Sequence, residues 1–372
     1  MEIYEQSIVI LPSTKKCPNR NFEIVQNLFR DTEGRKPEFK YATFVWDVQN
    51  PQEEAVRLKD AISKNTALLI EMPNYNEKAI KDSCNIAARH GLKSHVISNE
   101  EVIEAAVLLK MPHDLTDVTC GLDFIGDLHG CREEYLELLE KLGYVKEGFL
   151  TEETRGDINY ILEALQAHPE GRKSVLLGDL TDRGPYNLDC LLMARKMDDL
   201  GNYRVAGNHD EKAGRALSGA KLTVIADGLQ GTLKEMEHLT PEDRMGLGKW
   251  LLSAEGHLIF DGGRVAAAHA GISEEYQGRH TGGARAFALY GKATSDGKVD
   301  AQGYPERQDW ASDYKGETIV IHGHVVYPEV RELNNVIAID TGCAFGGKLT
   351  AYKWPEREIV DVQAKTKHWD GG

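Results

Sequence analysis

The 372-residue sequence predicts an α/β protein in two parts, a small α/β domain over residues 1–115 and a larger domain over 116–372. Three observations predict it. Short apolar runs bounded by Gly, Pro or polar residues recur along the chain at the length of buried strands. In the first part these runs alternate with helical patterns, which favours parallel βαβ units. In the second part the runs end repeatedly in Gly together with Asp, Asn or His.

The first domain opens with a strand at 8–11, followed by strands at 42–46, 67–70 and 95–97. Helices are expected at 53–63, 77–89 and 100–109, the second of them stopped by Gly91. After the first strand the chain reads Pro12-Ser13-Thr14-Lys15-Lys16-Cys17. A phosphate-binding P-loop needs Gly-x-x-x-x-Gly-Lys-Ser/Thr at that place, so that backbone N–H groups can cradle the phosphates. Glycine is missing there, and ATP binding is not expected. Residues 111–117, with a proline and short polar side chains, read as a linker.

The larger domain starts with a strand at 121–125 that runs into Gly126-Asp127-Leu128-His129-Gly130, and a helix over Arg132–Leu142 follows. Residues i and i+2 of an extended segment point the same way, so Asp127 and His129 can reach one cation together. The strand at 174–177 leads into Gly178-Asp179-Leu180-Thr181-Asp182-Arg183-Gly184. Its acids suit a cation and its guanidinium suits a phosphate. Strand 203–206 precedes Gly207-Asn208-His209-Asp210. Residues 213–255 read as helices that pack without contributing chemistry. Strand 265–268 ends at His269-Ala270-Gly271. A long surface loop is expected over 278–313, with a helix at 284–290 that carries Arg285. Strand 318–321 runs into His322-Gly323-His324, and strand 336–339 into Asp340-Thr341-Gly342-Cys343. The last strand is expected at 349–353, and the polar segment 365–372 is expected to fray.

Any one of these strand ends is more often a turn than a ligand. Their repetition carries the assignment. The candidate ligands are Asp127, His129, Asp179, Asn208, His269 and one of His322 and His324. That is too many for one tetrahedral ion with an open position, and right for two ions sharing a carboxylate. Asp179, central in chain order, is the expected bridge. Two ions about 3.5–4 Å apart clamp the attacking and leaving oxygens of a phosphoryl displacement. Arg183 is expected to hold non-bridging phosphate oxygens. His209 is expected to protonate the leaving oxygen, with Asp182 orienting its ring. Asp340 joins the catalytic set, and Arg285 joins Arg183 in substrate binding.

The formal net charge of −15 argues against a surface that coats long nucleic acid. It leaves room for a local site that grips one phosphate end. The longest apolar runs fall short of a membrane span, and the N-terminus lacks the regions of a signal peptide. The six cysteines contain no Cys-x-x-Cys pair. They read as reduced thiols of a cytoplasmic protein, and a structural zinc site built from cysteines is not expected.

Gly-Asp-x-His-Gly, Gly-Asp-x-x-Asp-Arg-Gly, Gly-Asn-His-Asp, His-Ala-Gly and Gly-His together resemble the calcineurin-like metallophosphoesterases of the phosphoprotein phosphatase branch. The resemblance implies a β-sandwich flanked by helices. It implies Asp127 and His129 on the first metal, Asp179 bridging, and Asn208, His269 and His324 on the second. His324 is preferred to His322 because it follows glycine. Two divalent ions are implied, Mn2+ first, with Ni2+, Fe2+ or Zn2+ as others. The family has Glu after Asn-His, where this chain has Asp210.

A narrower resemblance rests on residues 335–350, on Phe287-Ala288-Leu289-Tyr290-Gly291 and on Pro355-Glu356-Arg357-Glu358. These are similar to the bacterial polynucleotide kinase-phosphatase of RNA repair, over residues 121–358. The resemblance implies removal of 2′,3′-cyclic, 2′- or 3′-phosphates from RNA 3′ ends. Ser/Thr phosphoproteins and dinucleoside tetraphosphates are alternative substrates, since their hydrolases share parts of the signature. An RNA- or partner-binding protein with accessory phosphatase activity is the alternative class. Those repair proteins carry a P-loop kinase ahead of the phosphatase. Trp46-Asp47-Val48-Gln49-Asn50 and Ala87-Ala88-Arg89-His90 resemble later kinase motifs, so residues 1–115 are expected to be a degenerate kinase-like domain without kinase activity.

Overall fold

The structure, a computed structural model, describes residues 7–13, 41–45, 67–73, 93–98, 107–109, 113–220, 227–279, 281–294 and 307–370. The chain divides into two compact units, one built on Met1–Met111 and the other on Pro112–Gln277 and Gly283–Gly372.

In the first unit five apolar segments form one sheet. They are β1 (Ser7–Ser13), β2 (Tyr41–Val45), β3 (Ala67–Pro73), β4 (Lys93–Ser98) and β5 (Val107–Leu109), in the order β2-β3-β1-β4-β5. The first four strands run parallel, as βαβ alternation requires. β5 corrects the helix expected over 100–109. Val107, Leu108 and Leu109 pair antiparallel with β4, and sheet pairing overrides the weak helical preference of so short a run. The helices expected at 53–63 and 77–89, the loop from Thr14 to Cys17 and residues 46–50 and 87–90 lie outside the described residues.

The second unit begins inside the stretch read as a linker. Asp114–Leu115 forms β6, hydrogen-bonded in parallel to Ile259 and Phe260, and Leu115 packs on the core. The remaining strands are β7 (Leu122–Ile125), β8 (Lys173–Leu176), β9 (Tyr203–Arg204), β10 (His257–Phe260), β11 (Val265–Ala268), β12 (Ile319–His322), β13 (Arg331–Leu333), β14 (Val336–Ala338), β15 (Lys348–Trp354) and β16 (Glu358–Gln363). They form a six-stranded sheet, β13-β14-β12-β11-β10-β6, and a five-stranded sheet, β16-β15-β7-β8-β9.

The two sheets face each other. Phe124, Val175 and Tyr352 from one pack on Phe260, Ala267, Ile321 and Ile337 from the other, as the inner faces of a sandwich do. Helices cover both outer faces. On the five-stranded sheet the Arg132–Leu142 helix buries Tyr135, Leu136, Leu139 and Leu142, spaced to lie along one face. Each such leucine contributes about 1.5–3 kcal/mol by leaving water. Gly143 ends that helix in the left-handed region at φ 89°. On the six-stranded sheet the Gly282–Tyr290 helix brings Phe287 against Trp310, which packs in turn on Tyr314. Near its end the expected surface loop reaches the core, since Trp310 and Ala311 are buried. Residues 295–306 lie outside the described residues.

Two further expectations are corrected. β15 is not the last strand. After the turn Pro355-Glu356-Arg357 the chain returns as β16 and pairs antiparallel with Lys348 to Lys353 of β15. The tail does not fray up to Trp369. Lys365 N donates to the Glu134 carboxylate at 2.8 Å, and His368 N and Trp369 N both donate to Ala344 O at 2.9 Å.

Sheet direction places the site. β7, β8 and β9 run parallel to one another, and so do β11, β12 and β14. Each set delivers its strand ends to one edge of its sheet, where the motif loops emerge. No helix among the described residues is long and apolar enough to cross a membrane.

Candidate active site

Two groups of ligand-type side chains converge at that edge, Asp127–His129–Asp179 and Asp179–His269–His324, each with its ligand atoms within 4.8 Å of one another. Asp179 is common to both. Its Oδ2 lies 3.3 Å from His269 Nε2 and 3.6 Å from His129 Nε2, while its Oδ1 accepts from the His209 backbone N at 2.9 Å. Asn208 joins the second group, with its Oδ1 2.9 Å from His269 Nε2.

The backbone sets the imidazole orientations. His129 Nδ1 donates to Thr181 O and His269 Nδ1 donates to Leu177 O, both at 2.9 Å. Each bond fixes one tautomer and leaves Nε2 facing Asp179, the usual way a protein aims a metal-binding histidine. His324 points its Nδ1 at His269 Nε2, 3.0 Å away, and its backbone N donates to Asp127 at 3.2 Å. His322 faces elsewhere, with its ring tilted against Trp310.

Asp127 and His129 do not meet through a strand pleat, which corrects the geometry expected from their spacing. His129 sits at φ 44°, outside any strand, because its N–H donates to Asp179 O and the next N–H to Leu180 O. Asp179, Asp182, Arg183 and His324 also take φ between 50° and 73°. Non-glycine residues reach that region only where the surroundings over-determine them, at about 1–3 kcal/mol each. The glycines of the motifs make the approach possible. A Cβ at Gly207 would collide with the backbone N of Asp179, and one at Gly323 with the carboxylate of Asp127.

The charges call for a cation. Burial and the nearby Asp340 push Asp127 well above the usual carboxylate range. Burial would raise Asp179 too, but His269, His209 and His129 hold it well below. Burial opposes charge on His269, yet Asp179 and Asp127 raise it to about 10. A field that holds a proton so firmly would hold a divalent ion there. Asp340 is buried, with its Oδ1 accepting from Gly342 N at 3.0 Å and its Oδ2 without a hydrogen-bond partner among the described residues. Carboxylate, imidazole and amide oxygen donors of this kind fit two borderline or hard divalent cations.

The remaining predicted residues fall into two places. His209 Nδ1 donates to Asp182 Oδ2 at 2.6 Å, and its Nε2 accepts from Arg183 Nη2 at 3.3 Å. The Arg183 guanidinium also reaches His129 Nε2 and lies 5.1 Å from the centre of the Phe345 ring. Arg285 is occupied otherwise. It donates to Glu211 at 2.9 and 3.1 Å and to Ala254 O at 2.9 Å, which ties its helix to the Asn208–Leu217 helix.

Sequence reasoning missed three supports. Thr232 is fully buried and donates its hydroxyl to Asp182 Oδ1. Glu235 accepts from Asn187 N and Leu188 N. Both lie in the stretch read as packing alone. The third is Asp210, whose Oδ1 accepts from Leu180 N at 2.8 Å and whose Oδ2 accepts from Gly207 N at 3.2 Å. It ties the loop after β8 to the loop after β9, and burial followed by the nearby Asp179 raises it to about 6. Asp210→Ala strands two buried donors at about 1–3 kcal/mol each. The expected loss is about 2–6 kcal/mol in urea unfolding, and an unchanged midpoint would show that water replaces the carboxylate.

The family model of the calcineurin-like phosphoesterases matches residues 122–345. A bis(5′-nucleosyl)-tetraphosphatase, PrpE [asymmetrical], from Geobacillus thermodenitrificans is 38% identical over 256 residues, covering 66% of this chain and 96% of that protein. Its namesake from Bacillus cereus strain AH187 is 38% identical over 250 residues, covering 64% and 93%. Among solved structures, a protein serine/threonine phosphatase from Saccharomyces cerevisiae aligns with a TM-score of 0.46 at 11% identity, covering 68% of this chain and 83% of that one.

Proposed function

The chain belongs to the calcineurin-like phosphoesterase family, a metal-dependent phosphate ester hydrolase by that membership, and we propose that its substrate is a dinucleoside tetraphosphate, cut asymmetrically. What supports the substrate is the likeness to tetraphosphatases named asymmetrical over nearly their whole length. What supports the chemistry is the pair of ligand groups meeting at Asp179.

Asp127, His129 and Asp179 would hold one ion, and Asp179, Asn208, His269 and His324 the other, with Mn2+ the first choice. Such a pair supplies an acidified water and neutralises charge on the phosphoryl oxygens. Arg183, on the open side, takes the non-bridging phosphate oxygens as a planar fork. Once Arg183 turns from His209 to the phosphate and Nε2 takes a proton, His209 would pass that proton to the leaving oxygen while Asp182 holds the other ring nitrogen. Asp340 stands behind Asp127 as a further acid, and Arg285 reaches substrate only if it leaves Glu211.

A second reading, removal of phosphate from RNA 3′ ends, is favoured by the His209–Asp182 pair. A ribose alkoxide leaves poorly without a proton, whereas a nucleotide phosphate leaves readily. The test is a substrate panel on Mn2+-loaded protein: diadenosine tetraphosphate, RNA ending in 2′,3′-cyclic phosphate or 3′-phosphate, and a phosphothreonine peptide. Discrimination is read as kcat/KM. Diadenosine tetraphosphate should lead and yield ATP with AMP. Preference for either RNA end, or two ADP as products, would overturn the reading. ATP with 5′-hydroxyl RNA belongs in the same panel. The residues 1–115 domain is expected to leave that RNA unphosphorylated, and any labelled 5′ end would refute its reading as an inactive kinase-like unit.

A further inference from the structure

Beneath the active-site loops lies a second convergence of ligand atoms. Cys131 Sγ, Cys343 Sγ and a carboxylate oxygen of Glu134 all lie within 4.8 Å of one another. The three residues are 1%, 2% and 2% exposed, and the Cys131 thiol has His129 O as its hydrogen-bond acceptor, at 3.7 Å. Chain geometry brings them together. Cys131 is the N-cap of the Arg132–Leu142 helix but makes no side-chain cap bond, and Glu134 sits three residues on, in the first turn. That spacing stacks the two side chains on one face. Cys343 arrives from the far end of the sequence, in the short turn Cys343–Phe345.

Glu134 has the partner set of a group awaiting a cation. Its carboxylate accepts from Lys365 N at 2.8 Å, and it makes no ion pair among the described residues. A buried carboxylate with no positive partner is costly. Two sulfurs and one oxygen are a ligand set for a thiophilic divalent ion such as Zn2+ or Cd2+. Closing on such an ion would bring the ligand atoms to about 3.4–3.8 Å apart, from metal–ligand bonds of about 2.0–2.3 Å. A fourth position is left to water or to Cys190, buried in the same core cluster.

We propose that Cys131, Cys343 and Glu134 form a third, structural metal site for a thiophilic divalent cation, separate from the catalytic pair. The ion would join three segments at one point: the loop that carries Asp127 and His129, the loop that carries Asp340, and the tail that reaches Glu134 through Lys365. The site escapes sequence reading because Cys131 and Cys343 lie far apart in the chain and show no Cys-x-x-Cys spacing.

The probe is Cd2+, titrated into the full-length, Mn2+-loaded chain. The background is C17S/C84S/C120S, so that of the six thiols only Cys131, Cys190 and Cys343 remain. The readout is the sulfur-to-cadmium charge-transfer absorbance in the ultraviolet, to which the sulfur-free catalytic pair cannot contribute. The expected result is a band that saturates at one equivalent. It should lose about half its intensity in C343S, and E134Q should weaken binding about tenfold or more, the scale of losing a supporting metal contact. Absence of a saturable band overturns the proposal, as does a band unchanged in C343S. If C343S fails to fold, E134Q and the background titration decide alone.

Discussion

Asp179→Ala is expected to abolish turnover and empty both catalytic metal positions at once. No other side chain of the site belongs to both ligand groups, so its loss cannot be confined to one ion. A bound pair supplies several kcal/mol of transition-state stabilisation. At about 1.36 kcal/mol per factor of ten, kcat/KM should fall about 1,000-fold or more. Two measurements are needed together, the rate and the metal content per chain by mass spectrometry. A variant that keeps two ions, or a tenth of the activity, would refute the bridging role. Asp179→Asn separates ligation from folding, because it keeps an oxygen for the His209 N–H and removes the bridging charge. It should fold as the parent does and still lose metal.

The same residue shows how far the sequence could be read. Asp179 was legible because an apolar strand, a glycine and an acid recur in one order at several strand ends, and the chemistry of the donors does not depend on exact placement. The sandwich strands β7, β8, β11 and β12 were legible for a related reason, since each carries a short apolar stretch that runs into a glycine or histidine. β6, two residues long, is too short to leave a periodic signal, whereas β9 was read from the run into Gly207. β16 follows a Pro and a charged turn, and most of its side chains are exposed or half-buried, so its pattern reads as a polar tail. The supports of the site were hidden more deeply. Thr232 and Asp182 are 50 residues apart, and Asp210 reaches a backbone N–H 30 residues away. Contacts of that range are created by the fold and leave no local trace. The left-handed backbone at His129 and Asp179 was equally invisible, because neither residue type demands it.

His209 carries the second large expectation, and it tests the direction of proton flow. His209→Ala should lower kcat by about 100- to 10,000-fold on substrates whose leaving oxygen needs a proton, the usual contribution of a positioned acid. It should lower the rate on p-nitrophenyl phosphate far less, since p-nitrophenolate departs unaided. The geometry around His209 is compatible with that role. Nδ1 is committed to Asp182 at 2.6 Å, and Nε2 faces the arginine expected to grip the phosphate. Asp182→Asn keeps the hydrogen-bond geometry but weakens the support for a positively charged ring, so it should show the same leaving-group dependence in smaller measure. Equal losses on both kinds of substrate would mean that His209 binds phosphate instead of donating a proton. The dependence also bears on the substrate. If diadenosine tetraphosphate is nearly indifferent to His209→Ala while an RNA 3′-phosphate is not, the acid is built for an alkoxide, and the RNA end becomes the better reading of the site.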